Sequence, residues 1–256
     1  MNYKNITLEG KDGVARLTIN RPPLNILNIE TMQEMISALK AVGKDESVNA
    51  IVITGAGDRA FSAGADIKDH MPDKVEVFIR TFNELFYLLM SLEKTTIAQV
   101  NGYALGGGCE LAIACDIIIA SEKAQIGVPE TTVGVFPPVA AAVLPKLVGR
   151  PKALELILTG DMLDAKTAEY VGLVNKAVPS DRLEATVDEL LKKLKEKSPV
   201  VLKLAKKAVY SGLELDFRKG LESITDIYLG SLMRTEDAVE GLQAFLEKRK
   251  PKYKGK

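Results

Sequence analysis

Short β-branched strands, glycine-rich loops and amphipathic helices follow one another along the first 150 residues, and this alternation limits the folds open to the chain. Residues 14–20, VARLTIN, alternate apolar and polar at period two, as a half-buried strand does. Ile29, Met32, Met35, Ile36, Leu39 and Val42 then recur at helical spacing behind Asn28, a candidate N-cap. Residues 50–54 form an apolar run that ends at Gly55, which reads as a buried strand entering a turn. The segment GAGDRAFSAGAD reads as a small-residue loop, and from Asp73 onward Val75, Phe78, Phe82, Leu85, Phe86, Leu89 and Leu92 mark one face of a long helix. A strand at 96–100, a second glycine-rich turn, NGYALGGG, a helix opening near Cys109 and a strand at 116–120 follow. The alternation predicts an α/β protein whose loops gather at strand ends, where functional residues concentrate. Beyond residue 150 the pattern reads as wholly helical, with Pro151 and Pro199 in first turns and Asp164, Asp181, Ser198 and Thr235 as candidate N-caps. The expected division is an α/β core over 1–195 and a helical region over 196–256.

Charge and rare residues narrow the function. Lysine plus arginine total 34 and aspartate plus glutamate total 34, so the net charge is zero and the chain lacks the basic footprint that nucleic acid or an anionic membrane selects. The N-terminus has no apolar run of the secretory kind, and the longest uncharged stretch, 131–145, is 15 residues with three prolines, short of a membrane span. A cytoplasmic, soluble protein is expected. Cys109 and Cys115 match no zinc or CxxC spacing, and His70 is the only histidine, so a metal site built on imidazole or thiolate is not expected. Catalysis is thereby pushed towards carboxylates and backbone amides.

Two small-residue loops are candidate binding elements. Gly55, Gly57 and Ala60 fit GxGxxA after a strand, but no amphipathic helix follows, so a dinucleotide site would lack the helix terminus it needs. Residues 62–66 and 106–108 let backbone amides approach a ligand closely, and the second loop opens into a helix whose start favours negative charge. Two such amides suit an oxyanion hole; tight turns at strand ends are the alternative. Glu110 lies three residues after Gly107, on the face that the Gly107 amide addresses, and its apolar neighbours should raise its pKa; the alternative is a glutamate that serves the helix dipole. Glu130, in GVPETTVGV, is a second carboxylate in an apolar stretch, with an exposed loop glutamate as its alternative. His70 reads as a surface loop residue, with a pocket lining as the alternative. The lysines at 192, 193, 195, 197, 203, 206, 207 and from 248 read as solvated helix faces.

RPPLNIL at 21–27, FSAGADI at 61–67, the run 101–110, ACDIIIA at 114–120 and GVPET at 127–131 resemble the crotonase superfamily, in particular its enoyl-CoA hydratases, and the likeness extends to DAVEGLQAFLEKR at 237–249. The resemblance implies a crotonase-like spiral of strand-strand-helix turns with a C-terminal helical oligomerisation region, assembled as a homotrimer or homohexamer. It implies oxyanion-hole amides at Ala65 and Gly107, catalytic glutamates at Glu110 and Glu130, and coenzyme A along Leu24, Ala63, Ala65, Asp66, Ile67, Lys68 and Gly106. The implied reaction is reversible addition of water to an acyl-CoA thioester, with no cofactor beyond the coenzyme A of the substrate itself.

Two departures bear on specificity. RPPLN is a residue shorter than the usual hydratase loop and lacks its lysine. After Glu130 many hydratases carry a glycine-rich PGAGG-like run, whereas here VGVFPPVAAAVLP reads as a wall stiffened by Pro137 and Pro138 and lined by Ala140, Ala141 and Ala142. Together with DHMPD at 69–73 and the tail, this run is similar to cyclohexa-1,5-diene-1-carbonyl-CoA hydratases. A short-chain enoyl-CoA hydratase or isomerase is the alternative, and an RNA-binding homologue is the alternative from another class.

Overall fold

A hairpin opens the chain: β1 (Ile6–Lys11) pairs antiparallel with β2 (Val14–Ile19), which points Ala15, Leu17 and Ile19 inward at period two. The computed structural model describes residues 3–213 and 215–256. Asn28 accepts from the Thr31 amide at 2.9 Å and so starts α1 (Ile29–Lys44), whose Met32, Met35, Ile36, Leu39 and Val42 are buried as the spacing predicts. The strand β3 (Ala50–Gly55) lies parallel to β2.

From β3 to β8 each turn of the chain adds one long strand to one sheet and one three-residue strand to another. Thus β3 is followed by β4 (Ala60–Ser62), β5 (Thr95–Val100) by β6 (Tyr103–Leu105), and β7 (Ile117–Ser121) by β8 (Gln125–Gly127). With β9 (Met162–Asp164) and β10 (Lys176–Val178) the sheets run β1-β2-β3-β5-β7-β10 and β4-β6-β8-β9. Between the turns lie α2 (Val75–Ser91), packed on α1, and α3 (Gly107–Ile113), whose first turn lies against β4. That approach requires glycine, because a Cβ on Gly108 would sit 2.1 Å from the Ser62 carbonyl oxygen.

The structure corrects several expectations. The loops at 55–66 and 101–108 contain β4 and β6, and β9 and β10 lie past residue 150; three residues are too few to display an alternating pattern. The second half of the run 131–145, read as a stiffened wall with no element assigned, is α4 (Pro138–Leu147), begun by Pro138 at its first position. Val75 is 36% exposed, so the buried face of α2 starts at Phe78. Asp164 and Thr235 cap as expected, accepting from Thr167 N at 2.8 Å and Ala238 N at 3.1 Å. Asp181 instead lies inside a 3₁₀ turn, Ser180–Arg182.

The chain separates into residues up to Leu92 with Thr96–Asp188, and Glu93–Thr95 with Glu189–Lys256. The first unit also holds α5 (Arg150–Thr159) and α6 (Ala165–Tyr170), while α7 (Leu183–Lys195) leads to the second. The second holds α8 (Pro199–Leu213), α9 (Phe217–Gly230) and α10 (Glu236–Leu246), with a buried carboxylate at the start of α10: Asp237 accepts from Ser198 Oγ at 2.6 Å, Lys254 N at 2.7 Å and Gly255 N at 2.9 Å. Much apolar surface of this unit stays open, with Phe217 86% and Phe245 82% exposed. Among the described residues no helix is long and apolar enough to cross a membrane.

Candidate active site

The parallel bridge between Leu27 and Ala65 orients the first small-residue loop. Leu27 N donates to Gly64 O at 2.9 Å and Asp66 N to Leu27 O at 3.0 Å, so the Ala65 amide between them faces the other way. Gly64 is at φ +110° and Gly106 at φ +52°, conformations that a side chain disfavours, and each turns the chain just before one of the two amides. The Ala65 nitrogen lies 3.4 Å from where a Cβ on Gly107 would sit. Among the described residues neither amide donates a hydrogen bond. Two adjacent unspent donors at a helix start can hold an oxygen that gains negative charge.

Glu110, in the first turn of α3, is 1% exposed. Its Oε1 does not stay with the Gly107 amide but accepts from Val139 N at 2.7 Å and Ala140 N at 2.8 Å, both at the start of α4. The carboxylate thereby caps a second helix. Burial pushes its pKa up to about 8; the Ala140 and Val139 amides oppose this, while the Glu130 charge adds to it.

Glu130 is in a 3₁₀ turn, Pro129–Val133, and partly buried. Its carboxylate lies on the Gly106 backbone, where a Cβ would meet Oε1 at 2.9 Å, and its Oε2 is buried without a partner. Burial raises its pKa to about 7 against its own backbone amide. Both carboxylates are therefore poised to hold or release a proton near neutrality. The neighbouring Cys109 thiol is pushed far up by burial and by both glutamates, which removes it as a nucleophile.

The remaining expected residues lie on or beside the first loop. Leu24 accepts from Ala63 N at 2.9 Å, and Asp66, Ile67 and Lys68 continue past Ala65, with Ile67 63% exposed at the start of a 3₁₀ turn. Asp66 caps that turn through Lys68 N at 3.1 Å and pairs with Arg21 at 3.4 Å. His70 is held by Asp66 O at 3.0 Å and stacks on Phe78 at 4.2 Å, the first ring of a ladder through Phe82 to Phe86. None of its contacts reaches either glutamate. Sequence reasoning missed the Val139 and Ala140 amides; the signal was the proline pair followed by an uninterrupted apolar run, a helix start. Among the described residues no three His, Cys, Asp or Glu groups could hold a metal ion.

A family model described as enoyl-CoA hydratase/isomerase matches residues 9–256. The chain belongs to that family. It is 43% identical to a probable enoyl-CoA hydratase of Rhizobium meliloti and 40% identical to a crotonyl-CoA hydratase of Syntrophomonas wolfei, in each case over 99% of both chains. A crystal structure of an enoyl-CoA hydratase from Bacillus anthracis superposes with a TM-score of 0.93 at 36% identity, covering 99% of this chain and 100% of that one. The fold is accordingly the crotonase spiral that the motifs implied.

The glutamate pair predicts how stability depends on pH. A carboxyl that ionises near 8 in the native state and near 4.5 in the unfolded one leaves the native state holding the extra proton between those values, so stability falls as pH rises through them. Urea midpoints at fixed protein concentration should therefore fall from pH 5 to 8 in the native chain, at a slope of at most about 1.4 kcal/mol per pH unit for one group. Glu110→Gln should flatten that slope. An unchanged slope in the variant would show that Glu110 ionises normally.

Proposed function

We propose that this enzyme, a hydro-lyase of the enoyl-CoA hydratase type, adds water reversibly across the α,β double bond of an acyl-CoA thioester. The observation that carries the reading is the juxtaposition of two protonatable carboxylates, Glu110 and Glu130, with the unspent amides of Ala65 and Gly107. As water attacks the β carbon, the thioester oxygen gains enolate charge, which the two amides hold; such a donor contributes about 3 kcal/mol to the transition state. One glutamate takes the proton of the attacking water and the other delivers a proton to the α carbon. Coenzyme A enters as part of the substrate along Leu24, Ala63, Asp66, Ile67 and Lys68, and no separate cofactor is proposed. Glu110→Gln and Glu130→Gln should each lower turnover by roughly 10²- to 10⁴-fold, and near-native hydration by either variant would remove that residue from the mechanism. Double-bond isomerisation surviving alone in Glu110→Gln would make isomerase the better description, and salt-dependent RNA retention without hydratase activity would favour the RNA-binding alternative.

For the acyl group we propose a cyclic dienoyl thioester, cyclohexa-1,5-diene-1-carbonyl-CoA. The support is the sequence likeness at 69–73, 131–145 and the tail, together with a rigid helix start that sets the small Ala140 beside Glu110. Of the three alanines, the helical turn of α4 buries Ala140 and leaves Ala141 and Ala142 exposed. A ring is wider than a linear chain next to the thioester, and a linear substrate held loosely reacts slowly. The relatives named crotonyl-CoA hydratase and short-chain-enoyl-CoA hydratase support the competing reading, a short linear acyl group. Side-by-side assays should give the cyclic thioester the higher specificity constant; a preference for crotonyl-CoA rejects the ring and retains the short-chain hydratase.

The open apolar surface of α9 and α10, including Leu221, Tyr228, Leu242, Phe245 and Leu246, supports a homotrimer or a pair of trimers. Light scattering at micromolar concentration should show such an assembly, and a monomer would exclude it.

A further inference from the structure

We propose that Pro138 is a positioning residue for Glu110: by withholding one amide from the start of α4, it confines the grip of that helix to a single carboxylate oxygen and leaves the other to carry the proton. What the proton does rests on the hydration reading above; where it sits does not.

The first residues of a helix normally offer several unpaired N–H groups to an anion. Here Pro137 and Pro138 have none, and Ala141 N is already spent on Pro137 O at 2.9 Å. Val139 and Ala140 are the donors that remain, and both converge on Glu110 Oε1, at 2.7 and 2.8 Å. Among the described residues Oε2 of Glu110 accepts no hydrogen bond. An oxygen that already faces two N–H groups cannot carry a proton without opposing them, so protonation falls on the bare oxygen. A third N–H at position 138, one residue before Val139, would favour the ionised form, since hydrogen bonds to a carboxylate lower its pKa. The other groups near enough to compete are few. Glu130 comes from the 3₁₀ turn and Cys109 from α3 itself; β4 brings Ala60, Phe61 and Ser62, β6 brings only the exposed Tyr103, and the first two turns of α4 carry no charge.

Pro138→Ala restores the N–H at a position where alanine suits a helix, and Pro138→Gly does the same should the alanine variant fail to fold. Pro151→Ala, in the first turn of α5, is the control for removing a helix-start proline elsewhere. Two quantities are followed against pH: kcat/KM on an enoyl-CoA thioester, and the carboxyl infrared band that Glu110→Gln abolishes. The limb of the rate profile lost in Glu110→Gln, and the midpoint of that band, should both move down by about half a pH unit or more in Pro138→Ala, and by nothing in Pro151→Ala. Unmoved midpoints, an upward shift, or equal shifts in the two proline variants would overturn the proposal. If no thioester is hydrated, the infrared midpoint still decides the role of Pro138, and only the hydration reading falls.

Discussion

A carboxylate withdrawn from water and set on a helix terminus organises this site. An isolated buried charge is too costly to persist, so Glu110 needs either donors or a proton, and the structure supplies both: two amides on one oxygen and an ionisation pushed up to about 8. The bond to Val139 spans 29 residues, and the chain between its ends contains β7, β8 and the 3₁₀ turn that carries Glu130. Joining α3 to α4 therefore also brings the second carboxylate back to the second loop, at Gly106. The interaction that seats one catalytic candidate delivers the other.

The spiral makes this geometry possible because its second sheet is so small. The three-residue strands β4 and β6 each end beside a small-residue turn and pair in parallel, so the turns that follow them come out on the same side. Those turns hold Ala65 and Gly107. Glycine recurs here for two separate reasons. Gly106 must reach φ +52°, and it must also lack a Cβ because Glu130 lies on it; Gly108 must let α3 rest on Ser62.

The long elements were legible in the sequence and the short ones were not. The faces of α1 and α2 repeat over four turns, and β2 alternates over six residues, so burial imposes a visible period on each. No such period fits into Met162–Asp164 or Lys176–Val178, which join their sheets through backbone bonds that leave no mark on residue type. Glu110 and Glu130 stood out as lone carboxylates among apolar neighbours, and their raised ionisation follows from that surrounding. Their partners did not stand out. Val139 and Ala140 act through N–H groups that every residue except proline carries, and side-chain identity cannot mark them.

Burying two carboxylates close together has a chemical consequence that neither has alone. With Glu130 ionising near 7 and Glu110 near 8, and the Glu130 charge disfavouring that of Glu110, the pair holds about one proton between those values. In the proposed hydration one member would accept from water while its neighbour donates to carbon, and the proton would then have changed sides with the pair intact. The reverse reaction begins from that exchanged state, so a reversible hydration leaves the enzyme nothing to reset except the return of one proton between two oxygens. A single glutamate of normal ionisation could take the proton of water, but at neutral pH it would have none to give. The apolar surroundings of Glu110 and the bare Oε2 of Glu130 are thus parts of one requirement: both groups must be dry enough for the proton to stay.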